Sequence, residues 1–281
     1  MQFRRFHEAL TLRLLVPGTI LLLVSVLALT GGCGKDKETE EDTDVSLAGE
    51  RTEVSREYYA NWLRHSSRVF ELRYPQNEEL HDRIEGIGHK LDTIVAFNAM
   101  YFSKRPPEKI YLMMFPNILE AEEVLGREVP FVSGDTIFYE MFAPLGTGVT
   151  DLMLHLVNPD GSKFAFVNEG LPTLLDFSGE DYHEKAIGFI ESGEAFPMAD
   201  MVDNDKYARM PKQLRKEQAA SFLGFLSYNY GPQPILGLLK QDISANGILT
   251  FATKKSLSIL EAEWKNDLPR LATLDSLESQ P

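Results

Sequence analysis

The sequence predicts an α+β domain that is mainly helical with a small sheet, and three observations carry that prediction. Between residues 74 and 102 the apolar residues Leu80, Ile84, Ile87, Leu91 and Ile94 recur at spacings of four, three, four and three, which puts them on one face of a long helix. Two short runs rich in β-formers, 109–115 (KIYLMMF) and 136–142, have the length of strands. Almost everything after Pro144 has helical period and helix-length segments between turn signals.

Taken in order, Pro106 and Pro107 end the long helix, because a proline cannot continue the backbone ladder and restricts the residue before it. The run 109–115 reads as a buried strand. Asn117 with Glu120 has the spacing of a capping box and opens a short helix through Leu125. A Gly134-Asp135 turn introduces the second strand, in which Ile137, Tyr139 and Met141 alternate with Phe138, Glu140 and Phe142, and Pro144 stops it. Gly146-Thr147-Gly148 precedes VTDLMLHLV, apolar around most of its circumference, so this helix is expected to be central and buried. Asn158-Pro159-Asp160-Gly161 is a turn. Helices are expected over 163–177, 182–190, 213–230, 233–240 and 256–265, with a polar loop at 193–211, a break at Gly231 and Trp264 in the last helix.

The N-terminal end has a different chemistry. Arg4, Arg5 and Arg13 precede an apolar run from Leu14 to Leu29, and Thr30-Gly31-Gly32 lead into Cys33. This is the layout of a secretory signal, and the run is about long enough to span a bilayer, so an uncleaved membrane anchor is the alternative. Cys33 is the only cysteine, cannot make an internal disulfide, and with the residues before it resembles a bacterial lipoprotein lipobox. The expected organisation is a lipoprotein signal peptide at 1–32, an acidic tether at 33–57, a folded domain at 58–271 and a tail at 272–281, with a lipid on Cys33 holding the protein to a membrane. Gly34 after the cysteine resembles the pattern sent on to an outer membrane. The net charge is −14, and loss of residues 1–32, which carry three arginines and one glutamate, leaves −16. Such a surface as a whole repels phosphate backbones and anionic lipids, so nucleic acid is not an expected partner.

One constellation points to chemistry. His155 lies fourteen residues before Glu169, across the turn between two predicted helices. Zinc peptidases of the HExxH type place two histidines at i and i+4, where both imidazoles leave one helix face toward one ion, and the Glu after the first histidine is the base for the zinc-bound water. With His155 as the second histidine, Asp151 stands in the place of the first, Leu152 in the place of the base, and Glu169 in the place of a third ligand on the next helix.

The span from Tyr58 to Leu268 resembles the peptidase MA-like domain, a small gluzincin family found in many bacterial lipoproteins. The resemblance rests on the long helix followed by Pro106-Pro107-Glu108-Lys109-Ile110, a second strand, the helix with His155, and Phe166-Val167-Asn168-Glu169-Gly170-Leu171-Pro172 where the family has W-x-x-E-G-x-A. Later matches are Ala219 to Leu226, Tyr230-Gly231, and Glu261 to Trp264. It implies a zincin-like fold with the small sheet packed on the site helix, and an edge strand bearing Ile137, Tyr139 and Met141 to which an extended peptide adds by backbone pairing.

The departures fall on the chemistry. Leu152 cannot take a proton, and loss of a general base alone costs about 10²–10⁴-fold. Asp151, His155 and Glu169 form at best a degenerate metal set, with His155 and Glu169 expected to face each other as a hydrogen-bonded pair. The function this implies is a lipid-anchored, non-catalytic pseudopeptidase of the bacterial cell envelope, on the periplasmic side of the outer membrane in a Gram-negative cell. It would have no cofactor, and its old cleft would be kept for a peptide or an envelope protein. An active zinc metallopeptidase using Asp151, His155 and Glu169, and a purely structural envelope lipoprotein, are the alternatives. His65, His81, His89 and His183 are expected at the surface, and the acidic stretch 180–184 is expected to be a solvated face, with cation binding as the alternative.

Overall fold

The computed structural model describes residues 56–240 and 242–278; the apolar run from Leu14 to Leu29, Cys33 and the tether up to residue 55 lie outside the described residues. The chain from Thr52 to Pro281 is one compact unit. Buried apolar residues run through this unit from Phe70 to Leu271, so the chain from Thr52 onward has a core of its own. The fold is α+β and mainly helical. Among the described residues no helix is long and apolar enough to cross a membrane.

A short helix α1 (Arg56–Tyr59) leads into a hairpin of β1 (Leu63–Ser66) and β2 (Phe70–Tyr74), and the long helix α2 (Glu78–Tyr101) follows. Next come β3 (Ile110–Phe115), helix α3 (Ile118–Leu125), β4 (Phe131–Ser133) and β5 (Thr136–Glu140). The sheet order is β1-β2-β3-β5-β4; β2–β3 and β3–β5 are parallel, and the two outer pairs are antiparallel. Helices α4 (Leu145–Val157), α5 (Ala165–Leu174), α6 (Tyr182–Ser192), α7 (Met198–Met201), α8 (Asn204–Arg209), α9 (Lys212–Tyr230), α10 (Gln233–Lys240), α11 (Ala245–Thr253) and α12 (Leu257–Glu278) complete the unit.

The alternation along β5 sorts its side chains between two layers. Ile137 and Tyr139 face α4, where a Cβ on Gly148 would meet Ile137 Cγ2 at 2.5 Å and the Tyr139 ring at 2.7 Å. Phe138 points the other way, into a cluster with Met113, Phe115, Ala121 and Val129 that Trp62, Tyr58, Val124 and Phe131 complete. Asn117 caps α3 by accepting from the Glu120 amide at 2.9 Å. The Glu120 carboxylate does not return the bond to its own helix; it accepts from the Tyr58 hydroxyl at 2.5 Å and ties α1 to α3.

The expected edge strand at Ile137, Tyr139 and Met141 is corrected here. β5 is interior, because the three-residue strand β4 pairs with it through Phe131–Phe138, Val132–Ile137 and Ser133–Thr136, and Met141 is a buried residue past the end of the strand. β4 is short and carries no clear alternation in the sequence, which is why the pairing was not legible. The hairpin β1–β2 and helices α7, α8 and α11 were likewise not anticipated. Tyr74 belongs to β2 rather than to α2, which starts at Glu78 where the Asn77 side chain accepts from the Leu80 amide. Helix α1 begins two residues inside the expected tether, and α12 runs through Pro269 to Glu278, over most of the expected tail.

His183 is not at the surface. It is 7% exposed, between α6, α9 and α12, with Nδ1 3.0 Å from Ser221 Oγ, and the same oxygen accepts from Trp264 Nε1 at 3.0 Å. Burial disfavours the imidazolium and lowers the pKa of His183 to about 4, so at neutral pH the ring is uncharged.

Candidate functional site

Helix α4 is placed by its two glycines. Gly146 donates its amide to the Asp176 carbonyl at 2.8 Å, and a Cβ there would sit 2.2 Å from the Leu175 carbonyl oxygen, so the helix start lies directly on the loop after α5. Thr150 Oγ1 is buried beside the Asn98 side chain at 3.2 Å and the Leu175 carbonyl at 3.3 Å. This orientation buries Val149, Leu152 and Met153 and turns Asp151 and His155, one turn apart, to the same outer side.

His155 is exposed, and its Nδ1 lies 2.9 Å from the Asp151 carbonyl oxygen, which makes Nδ1–H the donor and leaves Nε2 toward solvent. The Asp151 side chain is half-buried. Burial raises its carboxyl pKa to about 7, against the lowering effect of the His155 and Lys216 charges. Leu152, in the place where a catalytic Glu would stand, is 1% exposed and part of the core.

Glu169 is positioned by the crossing of α5 and α9. Gly170 lies against Ala219, a Cβ there meeting the Ala219 Cβ at 2.7 Å, and Arg215 is one turn before Ala219 on the same face of α9. The guanidinium therefore meets the Glu169 carboxylate two-to-two: Nε donates to Oε2 at 2.8 Å and Nη2 to Oε1 at 2.7 Å. Nη1 donates to the Ala208 carbonyl at 3.0 Å and reaches those of Tyr207 and Met210 at 3.5 and 3.4 Å. The Tyr207 ring lies under the guanidinium, 5.1 Å from Cζ; its buried hydroxyl makes no hydrogen bond, and burial with the Glu169 charge raises its pKa. Arg215 thus clamps α5, α9 and the end of α8 to one another, and Glu169 raises the guanidinium pKa further.

The structure brings the helices of Asp151, His155 and Glu169 together as neighbours. It does not join His155 to Glu169 in the expected hydrogen bond, because Arg215 holds both carboxylate oxygens. Among the described residues no three of His, Cys, Asp and Glu converge on one point. As arranged, with one histidine turned outward and Glu169 bonded to a guanidinium, the trio does not fit a zinc ion. The residues that the sequence reading missed are Arg215, Lys216 and Tyr207. A signal for Arg215 was present: an arginine four residues before the inward-facing Ala219 must face inward too, and an inward cation needs an anion.

Asp151 yields a pH prediction. Its pKa is about 7 in the folded state and near 3.8 when exposed, so between those values the folded state holds a proton that the unfolded state has released. Stability from this group is therefore lost as pH rises from about 4 to about 7. Asp151→Asn is expected to stabilise the domain by about 2 kcal/mol at pH 8, a figure reduced for the partial exposure of the group, and the gain is expected to vanish toward pH 4. Denaturant titrations at both pH values read this directly, and an equal effect at both would mean that the carboxyl is ordinary.

Compared with models of known families and with curated proteins, the chain matches none.

Proposed function

We propose that this protein is a lipid-anchored pseudopeptidase of the bacterial cell envelope, held by a lipid on Cys33. Its peptidase MA-like domain, of zincin-like fold, would keep the surface of the old cleft for assembly with an envelope protein or a peptide. The observation that carries this reading is the two-to-two pairing of Glu169 with Arg215. An internal cation has taken the electrostatic place of a metal, and a ligand residue has become a structural one. Leu152 in the core supports it, since a hydrolytic mechanism of this family needs a carboxylate there. The surface kept for assembly is the outer side of α4 and α9, with Asp151, His155 and Lys216. An extended peptide pairing with β5 at Ile137 is not part of the proposal, because β4 holds that side.

The test is an assay of the chain from Thr52 on casein and on peptide libraries, with and without chelator. No chelator-sensitive cleavage is expected. Cleavage that chelator stops and His155→Ala abolishes would replace this reading with the metallopeptidase that uses Asp151, His155 and Glu169.

A further inference from the structure

Helix α11 buries Ala245, Ile248 and Leu249 and leaves large apolar side chains outside: Phe251 is 72% exposed and Ile243, just before the helix, 51%. They share one side. A Cβ on Gly247 would lie 3.7 Å from Ile243 Cδ1, and Phe251 follows Gly247 by one helical turn. Lys254 Nζ stands 5.0 Å from the centre of the Phe251 ring and donates to the Phe251 carbonyl at 3.0 Å. The exposed Lys240 ends α10 on the approach to the same segment.

The local charge is opposite to that of the protein. The chain has 28 Lys and Arg against 42 Asp and Glu. Within 233–256 the charged residues are Lys240, Lys254 and Lys255 against Asp242 alone, and Asp242 is paired with Lys163 at 3.1 Å. Lys255 is paired with Glu263 at 2.6 Å, which leaves Lys254 beside the Phe251 ring and Lys240 three residues before Ile243 in the chain. An exposed aromatic ring with an ammonium group beside it suits the boundary of a bilayer, where the ring enters the headgroup layer and the lysine meets phosphates. Two large side chains are too few for the roughly 800 Å² per partner of an ordinary protein interface, but enough for shallow insertion.

We propose that the Ile243–Phe251 side of α11, with Lys240 and Lys254, docks this domain on an anionic lipid surface. The contact does not depend on Cys33 or on the state of the Glu169–Arg215 pair. It sets how the domain lies on a membrane rather than whether it is tethered to one.

The test is co-sedimentation of the chain from Thr52, which lacks Cys33, with vesicles of phosphatidylglycerol and phosphatidylethanolamine, compared with phosphatidylcholine vesicles. Binding is expected on the anionic vesicles only, and it should fall several-fold between about 50 and 200 mM salt. Phe251→Ser and Lys254→Glu are each expected to weaken it by about tenfold with the melting temperature unchanged, and Ile243→Ser to weaken it less. Phe142→Ser, at a residue 65% exposed but next to Glu140, is expected to change nothing. Absence of binding to anionic vesicles, or binding indifferent to Phe251→Ser, overturns the proposal. So does lipid-free self-association that Phe251→Ser abolishes, which would assign this side to a second copy of the chain.

Discussion

Arg215→Ala is expected to destabilise the domain by about 3 kcal/mol, the largest effect of any substitution at the candidate site. The guanidinium makes two charge-assisted bonds to Glu169 and also reaches three backbone carbonyls. Its removal leaves the Glu169 carboxylate without its cation at a partly buried site. The side chains are 15% and 28% exposed, so the effect is set at the lower end of the range for breaking buried pairs. For a domain of this size that corresponds to a fall in Tm of roughly 8 °C. Arg215→Lys should recover less than half, because an ammonium cannot serve both carboxylate oxygens and the carbonyls at once. Glu169→Gln should cost less than Arg215→Ala, since the amide still accepts. If Arg215→Ala melts within 1 °C or so of the wild type, the clamp contributes nothing and the account of Glu169 as a structural residue fails.

Gly146→Ala is expected to destabilise by about 2–3 kcal/mol, even though alanine favours a helix more than glycine does. A Cβ at 146 would sit 2.2 Å from the Leu175 oxygen and 2.5 Å from the Asp176 carbonyl carbon, both backbone atoms that cannot turn aside. Helix α4 must then shift, weakening the Gly146–Asp176 bond and the Thr150 contacts. Gly148→Ala meets side-chain atoms of Ile137 and Tyr139 instead and should cost less. Gly188 in α6 is exposed with nothing within 4 Å of an added Cβ, so Gly188→Ala should stabilise by about 0.5–1 kcal/mol. The opposite signs of Gly146→Ala and Gly188→Ala separate close packing from helix propensity, and equal signs would mean that α4 does not lie on the loop after α5 as described.

The parts of the fold legible in the sequence are those with a strong local period or stop. The face of Leu80, Ile84, Ile87, Leu91 and Ile94, the run ending at Phe115 and the Asn117 cap are each set by residues within a few positions of one another. The parts that were not legible depend on distant partners. β4 exists because β5 offers it a ladder, and His183 is buried because Ser221 and Trp264 arrive from other helices to satisfy it. At the site, spacing placed His155 and Glu169 on neighbouring helices. It did not say what Glu169 bonds to, because the competing cation sits 46 residues further along. An inward-pointing arginine is the feature that sequence reading should have matched with that carboxylate.

On the proposed function, Glu169 belongs to Arg215 and not to a metal. Calorimetric titration of zinc into the chain from Thr52, after dialysis against chelator, at pH 8 where Asp151 is ionised, tests it most directly. No saturable equimolar binding and no rise in Tm on adding zinc are expected. Equimolar binding that His155→Ala and Glu169→Gln each abolish would show that the carboxylate leaves Arg215 for the ion, and would overturn the proposed function.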